Sequence, residues 1–419
     1  MSIFKNIRTG AVMTGRVFRH EWKVVLSDVG VLLFFVVLPL LYPITYTLVY
    51  NPEVVNNVRI AVVDHSRTAA SRELVRAIDA TPAIEVYQYA PDLEAAKRLM
   101  AETEVYAILE IPEDYARLLG RGEQAHVPFY SDMSLLLRYR SCLAAMTDVQ
   151  MHMSAKMLPV TIDSTPLSAL AAGRELSLPI KSESNFLGDT EQGFASFVIP
   201  GIIILILQQS MVLGICLIGG TSRERRRRNP YGIDPEAVQG AGPWATVWGK
   251  ALCYVVFYIP VTIYMVRFVP EIFALPHYGN PVDYLLFLVP MLFATAFFGQ
   301  ALIYFMKQRE AAFIIIVFTS VIFLFLSGLT WPRYAMSQFW TWAGNIVPAT
   351  WGVEGFIRIN SNGATVAECA TAYKALWILA ALYMFAAVGA AVLVDRRARR
   401  RAAREHSPAP AVQLPDTEQ

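Results

Sequence analysis

The sequence predicts an all-α membrane bundle of six transmembrane helices, with an α/β extracytoplasmic domain inserted between helices 1 and 2. Three observations carry that reading. The chain has 419 residues, 55% of them hydrophobic and only 17% charged, against about 25% charged in an ordinary soluble domain. Its apolar residues gather into six stretches long enough to cross a bilayer, which takes roughly 20 residues at 1.5 Å rise each. One long polar segment, 51–192, interrupts them after the first.

Residues 1–28 form an N-terminal segment on the cytoplasmic side. TGRVFRHEWKVVLSD sets Val17, Trp22, Val24 and Val25 among Arg16, Arg19, Glu21 and Lys23. That pattern suits an amphipathic helix lying in the membrane interface, with Arg16, Arg19, Glu21 and Trp22 as its candidate residues. The plainer alternative is a charged flank before the first span. The first span, 29–50, is free of charge and longer than a signal-peptide core of about 7–15 residues, so it reads as an uncleaved helix. Pro39 and Pro43 lie within it and should kink it, which a bundle tolerates.

The insert 51–192 alternates strand and helix. RIAVVD, IEVYQYA, YAILEIP and HVPFYSD read as strands, separated by helical stretches, with Asp92 as an N-cap. A β-α-β-α-β-α-β order argues for a small α/β domain. A longer helix from residue 135 to about 158 follows it.

Five further spans are 194–220, 251–269, 284–306, 311–328 and 375–394. Lys/Arg placement orients them. Arg8, Arg16, Arg19 and Lys23, then Arg223 and Arg225–Arg228, then Lys307 and Arg309, then DRRARRRAAR fall on one side if there are six spans. That side is cytoplasmic, and it includes both termini. The coupling stretch 221–250 and the basic tail 395–419 belong to it, the last ~14 residues reading as disordered. On the other side, 329–373 sets Trp331, Phe339, Trp340, Trp342 and Trp351 among prolines and glycines. Such rings favour the bilayer boundary, so one or two short re-entrant helices are expected there.

The motif inventory excludes most catalysis. The six histidines are scattered outside the spans, and HExxH, GxSxG and the phosphate loop GxxxxGK[ST] are absent. GPWATVWGK (242–250) has the wrong spacing and leads into a span. No catalytic, cofactor or metal site is therefore expected in this chain, and nucleotide energy has to come from a partner. A membrane-embedded transferase lacks an acid/base constellation. The four cysteines show no CxxC spacing; Cys142 and Cys369 share the outer side, which leaves a disulfide between them open.

Several residues have two readings. The run Arg223, Glu224, Arg225, Arg226, Arg227 and Arg228 is either an anchor beside anionic lipid or a docking surface, with Lys307, Arg309 and Glu310 as a second cytoplasmic contact. Gln208 and Gln209 stand mid-span and Gln300 lies in the fourth span; interhelical hydrogen bonding competes with a substrate-pathway role. Phe34, Phe35, Gln208, Gln209, Phe318 and Phe323 are the candidate pathway wall. Glu354 and Arg358 are four apart and can pair on a helix.

The layout of six helices, a large outer domain after the first, a basic stretch after the second and an aromatic segment before the sixth resembles ABC-2-type transporter permeases, the membrane subunits of ATP-binding-cassette exporters. TSRERRRRNPYGIDPEAVQGAGPWATVWGKAL is similar to the family's segment after helix two. There, Asn-Pro-Tyr-Gly stands where Gly-Thr is common. SGLTWPRYAMSQFWTWAGNIVPATW resembles the segment after helix five, with Ser337 where a proline is typical. The resemblance implies a cytoplasmic ABC ATPase subunit that holds the ATP and Mg, and a second permease subunit, identical or paralogous. It also implies a periplasmic adaptor, membrane lipids rather than nucleic acid as surroundings, and the bacterial inner membrane as location. Its cargo would be a small hydrophobic or amphipathic compound. The rival reading is a membrane-anchored envelope binding or assembly protein acting through 51–192.

Overall fold

The structure is a computed structural model that describes residues 2–50, 54–121, 123–163, 193–228, 238, 240–306 and 308–405; within these, 2–7, 155–163, 226–228 and 397–405 are described as backbone only. The chain divides into two compact units, Met1–Asn51 with Leu187–Gln419, and Pro52–Phe186. In chain order, α1 is Ser2–Ser27 and α2 is Val29–Tyr50. The inserted unit runs β1 Val58–Asp64, α3 Ala69–Asp79, β2 Ile84–Tyr89, α4 Leu93–Ala101, β3 Ala107–Ile111, α5 Tyr115–Gly120, β4 Phe129–Ser131 and α6 Leu136–Asp163. The rest runs α7 Phe194–Arg228, α8 Pro243–Ile272, α9 Pro281–Phe305, α10 Arg309–Leu326, α11 Gln338–Asn345, α12 Pro348–Asn362 and α13 Ala370–Glu405.

Six of these helices, α2, α7, α8, α9, α10 and α13, are long and apolar enough to cross a membrane. The small sheet lies between the first and second of them. In the insert, β1 pairs in parallel with β2 and β3, and β3 pairs antiparallel with β4, giving the order β2-β1-β3-β4. Alternation along β1 sends Ile60 and Val62 to one face, with Leu74, Ile78, Leu109 and Cys142. Ala61 and Val63 go to the other face, with Ala96 and Ile108. Asp92 caps α4 by accepting from Ala95 N at 2.6 Å. Thr68 and Ser71 close a capping box on α3.

Proline shapes the bundle through a repeated device. α2 contains a π turn at Leu33–Val37, after which Leu38 N–H bonds to Leu33 O and Pro39 follows. α8 contains another at Tyr264–Phe268, after which Val269 N–H bonds to Tyr264 O and Pro270 follows. A proline has no N–H to give, so a five-residue register just before it lets the helix continue without a break.

α7 is the central post, packed against α2, α9, α10 and α12, while α9 packs on α13 and α1 lies along α8. The aromatic stretch forms two helices, α11 and α12. α12 enters the bundle because Gly352 faces Met291 and Ile204, and Gly355 faces Phe287. A side chain at either glycine would push it away from α7 and α9.

Cys142 and Cys369, for which the sequence left a disulfide open, are both buried free thiols. Burial pushes the Cys142 thiol up to about 11.

Candidate functional site

The end of the bundle where α1, α7, α8 and the α9–α10 turn carry their basic residues is held by three polar locks. The first ties α1 to α8. The Glu21 carboxylate is buried, only 1% exposed, and receives the Tyr254 hydroxyl on one oxygen and Lys250 Nζ on the other, the latter at 3.0 Å. An unpaired carboxylate there would cost several kcal/mol; two donors on its two oxygens make the position tenable. Trp22, beside it, packs its ring against Phe18 and Phe257.

The second lock ties the start of α2 to the start of α10. Asp28 caps α2, accepting from Gly30 N at 2.9 Å and Val31 N at 3.2 Å. Its two oxygens also take Arg309 Nη1 and Nη2, each at 2.7 Å. This forked geometry is the strongest that arginine offers a carboxylate. Arg309 also reaches Thr221 Oγ1 of α7 at 3.2 Å, so three helices meet on one guanidinium. The Arg309 hydrogen bonds, aided by the helix N–H groups, hold the Asp28 carboxyl below the usual carboxylate range.

The third lock ties the end of α7 to the α9–α10 connection. Arg223 Nη1 donates to the Tyr304 and Met306 carbonyls at 2.8 and 3.0 Å, and its guanidinium lies over the Tyr304 ring. Carbonyls at the end of a helix have no intrahelical N–H to accept, and this guanidinium supplies donors to them.

The structure thus brings together Glu21, Arg223 and Arg309 from the residues the sequence singled out. Asp28, Lys250, Tyr254 and Tyr304 are their partners, which sequence reasoning missed. The one available signal was Asp28, a lone acid at the edge of an uncharged span. Arg16 and Arg19 are exposed on α1, and Glu310 follows Arg309 in the first turn of α10. Glu224 and Arg225 lie in the last turns of α7. The side chains of Arg226, Arg227 and Arg228, all of Lys307, and the coupling residues 229–237 and 239 lie outside the described residues, as do 164–192 and the tail 406–419.

Deeper in the bundle, Gln208 Oε1 accepts from Ala349 N at 2.5 Å, capping α12 just after Pro348. Gln208 Nε2, both amide atoms of Gln209 and Thr350 Oγ1 are buried without a hydrogen-bond partner among the described residues. Gln300 Nε2 donates to Val247 O at 3.3 Å. Phe35 is enclosed by Tyr254, Phe257 and Tyr258, with ring centroids 5.1–5.9 Å away. Phe34 meets Phe313 of α10, Phe323 meets Phe298 of α9, and Phe318 points away from the bundle. Of these six, Phe35 and Gln208 are fully buried within the chain and Phe318 is exposed.

The expected Glu354–Arg358 pair is replaced. Glu354 pairs with Arg333, which also donates to Asn345 Oδ1 and stacks on Trp351. Trp351 Nε1 donates to Asn345 O at 3.0 Å, so α11, α12 and the turn before them form one polar knot. Arg333 wins because its long side chain arrives with an aromatic platform already in place.

No curated protein matches the chain. A model of the ABC-2 family transporter proteins matches residues 29–388, from the first membrane helix into the last. Six helices long and apolar enough to cross a membrane lie within or overlap the matched residues, and the chain is a multi-pass membrane protein of the ABC-2 transporter family.

Proposed function

We propose that the chain is the permease subunit of an exporter that moves a small hydrophobic or amphipathic compound, drug- or lipid-like, out of the cytoplasm or inner leaflet. Permeases of the ABC-2 family work with an ATPase partner and are not themselves the catalyst. In this reading the chain sits in the bacterial inner membrane with both termini cytoplasmic and the insert outside. It pairs with an identical or paralogous permease, and a periplasmic adaptor can receive cargo from the outer domain.

The observation that supports this best is the set of three locks. A motor bearing on α1 and on the arginine-rich end of α7 moves elements already fixed to α2, α8, α9 and α10. Force applied at that end therefore reaches the bundle through short, charged, directional contacts, and not through side chains that slip. The candidate wall of Phe34, Phe35, Gln208, Gln209, Phe318 and Phe323 belongs to this reading. Gln209, whose buried amide has no hydrogen-bond partner among the described residues, is its strongest member.

The test is purification from the native host followed by an ATPase assay. Co-purification of a P-loop ATPase, with activity lost on charge reversal of Arg225–Arg228, supports the reading. A clean preparation without an ATPase, holding envelope proteins through the 52–186 unit, sinks it and favours the anchored assembly protein.

A further inference from the structure

A groove of about 540 Å³ runs between α1 and the start of α8, within the range of about 300–1,000 Å³ typical of small-ligand sites. Gly10, Ala11, Gly15 and Phe18 line it from α1, and Trp244 and Trp248 from α8. A Cβ built at Gly10 or Gly15 meets nothing within 4 Å. The helix therefore offers bare backbone where side chains would have filled the space. The indoles are fixed from behind: Trp244 packs on Phe385 at 5.9 Å, and Trp248 on Phe297 at 5.3 Å.

The exposed charged side chains on the described part of α1 before Glu21 are basic. Arg8, Gly15 and Arg19, spaced by seven and four residues, share the edge of α1 away from its buried residues Val17, Glu21 and Val25. Arg8, Arg16 and Arg19 are exposed. The first acidic residue of the chain is Glu21, and it is buried against Lys250 and Tyr254.

We propose that this groove holds an acyl chain of an anionic phospholipid whose headgroup is met by Arg8 and Arg19. The inference rests on the chain being in a membrane, not on the direction or cargo of transport. The groove is open on one side, and its apolar lining gives water few partners. A lipid tail is the filler available at a bilayer interface, and basic side chains near the surface select an anionic headgroup.

The experiment is native mass spectrometry of the full chain in detergent after exchange with mixed phosphatidylglycerol and phosphatidylcholine vesicles. The wild type is expected to retain phosphatidylglycerol. Gly10→Leu with Gly15→Leu grows side chains from two positions whose Cβ would meet open space, and should lower that occupancy on the order of ten-fold. Arg8→Gln with Arg19→Gln should keep a lipid but reduce its preference for phosphatidylglycerol by roughly ten-fold. Melting curves establish that the variants fold. Unchanged phosphatidylglycerol occupancy in a folded leucine pair overturns the proposal, and so does loss of a dimer with lipid retained, which assigns the groove to a second copy. If the leucine pair fails to fold, an unchanged lipid preference in the arginine pair overturns it. None of these readouts depends on whether an ATPase co-purifies, so this proposal and the exporter reading fail separately.

Discussion

The helices α7 and α10 are similarly apolar, yet they occupy opposite places in the molecule. In α7, 89% of the most apolar 18-residue window is buried within the chain; in α10 the figure is 17%. α7 carries Gln208, Ser210 and Thr221, each with a hydrogen bond, and touches most other spans. α10 turns Phe318, Val321, Ile322 and Phe325 outward. In a bilayer, apolar character does not separate core from surface, because lipid tails are as apolar as leucine. Polar side chains bonded to another helix carry that information instead. Gln208 with Ala349, Ser210 with Tyr258 and Thr221 with Arg309 mark where helices meet. Thr319 and Ser320 of α10, by contrast, bond their own helix backbone. The contrast between the two helices can be broken or sharpened by substitution.

The largest effect is expected at the lock between α1 and α8. Lys250→Met leaves the Glu21 carboxylate buried, with the Tyr254 hydroxyl as its remaining side-chain donor among the described residues. Removing one partner of such a pair should cost roughly 3 kcal/mol, read as a lower denaturation midpoint in detergent. Adding Glu21→Gln to Lys250→Met should recover much of the loss. Equal destabilisation with and without Glu21→Gln would mean that the pair is not what holds α1 in place.

Next comes the post itself. Gln208→Leu removes the acceptor for Ala349 N while leaving the span apolar. A lost interhelical hydrogen bond at depth should cost about 1 kcal/mol and loosen the start of α12, measured as faster amide exchange at 349–352. Unaltered exchange there would show that α12 is positioned by Gly352 and Gly355 packing alone.

The Asp28–Arg309 lock gives a pH dependence with a definite sign. The folded value of Asp28 lies below its ordinary 3.8, so its stabilising contribution is complete above the unfolded value and is lost as pH falls through the folded one. Stability should be flat in this respect from pH 5 to 8 and decline below about pH 4. Asp28→Asn should remove that acid decline. Identical acid limbs in wild type and variant would assign the decline to other carboxylates.

The six spans, the strand–helix alternation of the insert and the Asp92 cap were legible because each is written in local spacing: 20-residue apolar runs, period-two strands, an acid before a helix. The locks were not. Asp28 and Arg309 are 281 positions apart, and nothing local in either selects the other. Glu354 shows the opposite failure, where the visible i+4 partner Arg358 lost to Arg333. Helical spacing only offers a neighbour, and a guanidinium already stacked on Trp351 and bonded to Asn345 is better placed. The aromatic stretch was legible as unusual, but the depth of α12 depended on Gly352 and Gly355 meeting Met291 and Phe287, contacts that composition does not reveal.

The smallest effect on stability is expected at Phe318, 73% exposed on the isolated chain. Phe318→Ala removes a large ring that touches little of its own chain, so the denaturation midpoint should move by less than about 0.5 kcal/mol. Its effect on function distinguishes what α10 faces. If its outward face meets only lipid, transport should match wild type, because tails fill the vacated space. If it meets a second permease subunit, the dimer should dissociate at higher concentration while the melting of the chain stays unchanged. A stability loss as large as that of Gln208→Leu would contradict both outcomes, because it would place Phe318 in the chain's own packing and remove the contrast between α10 and α7.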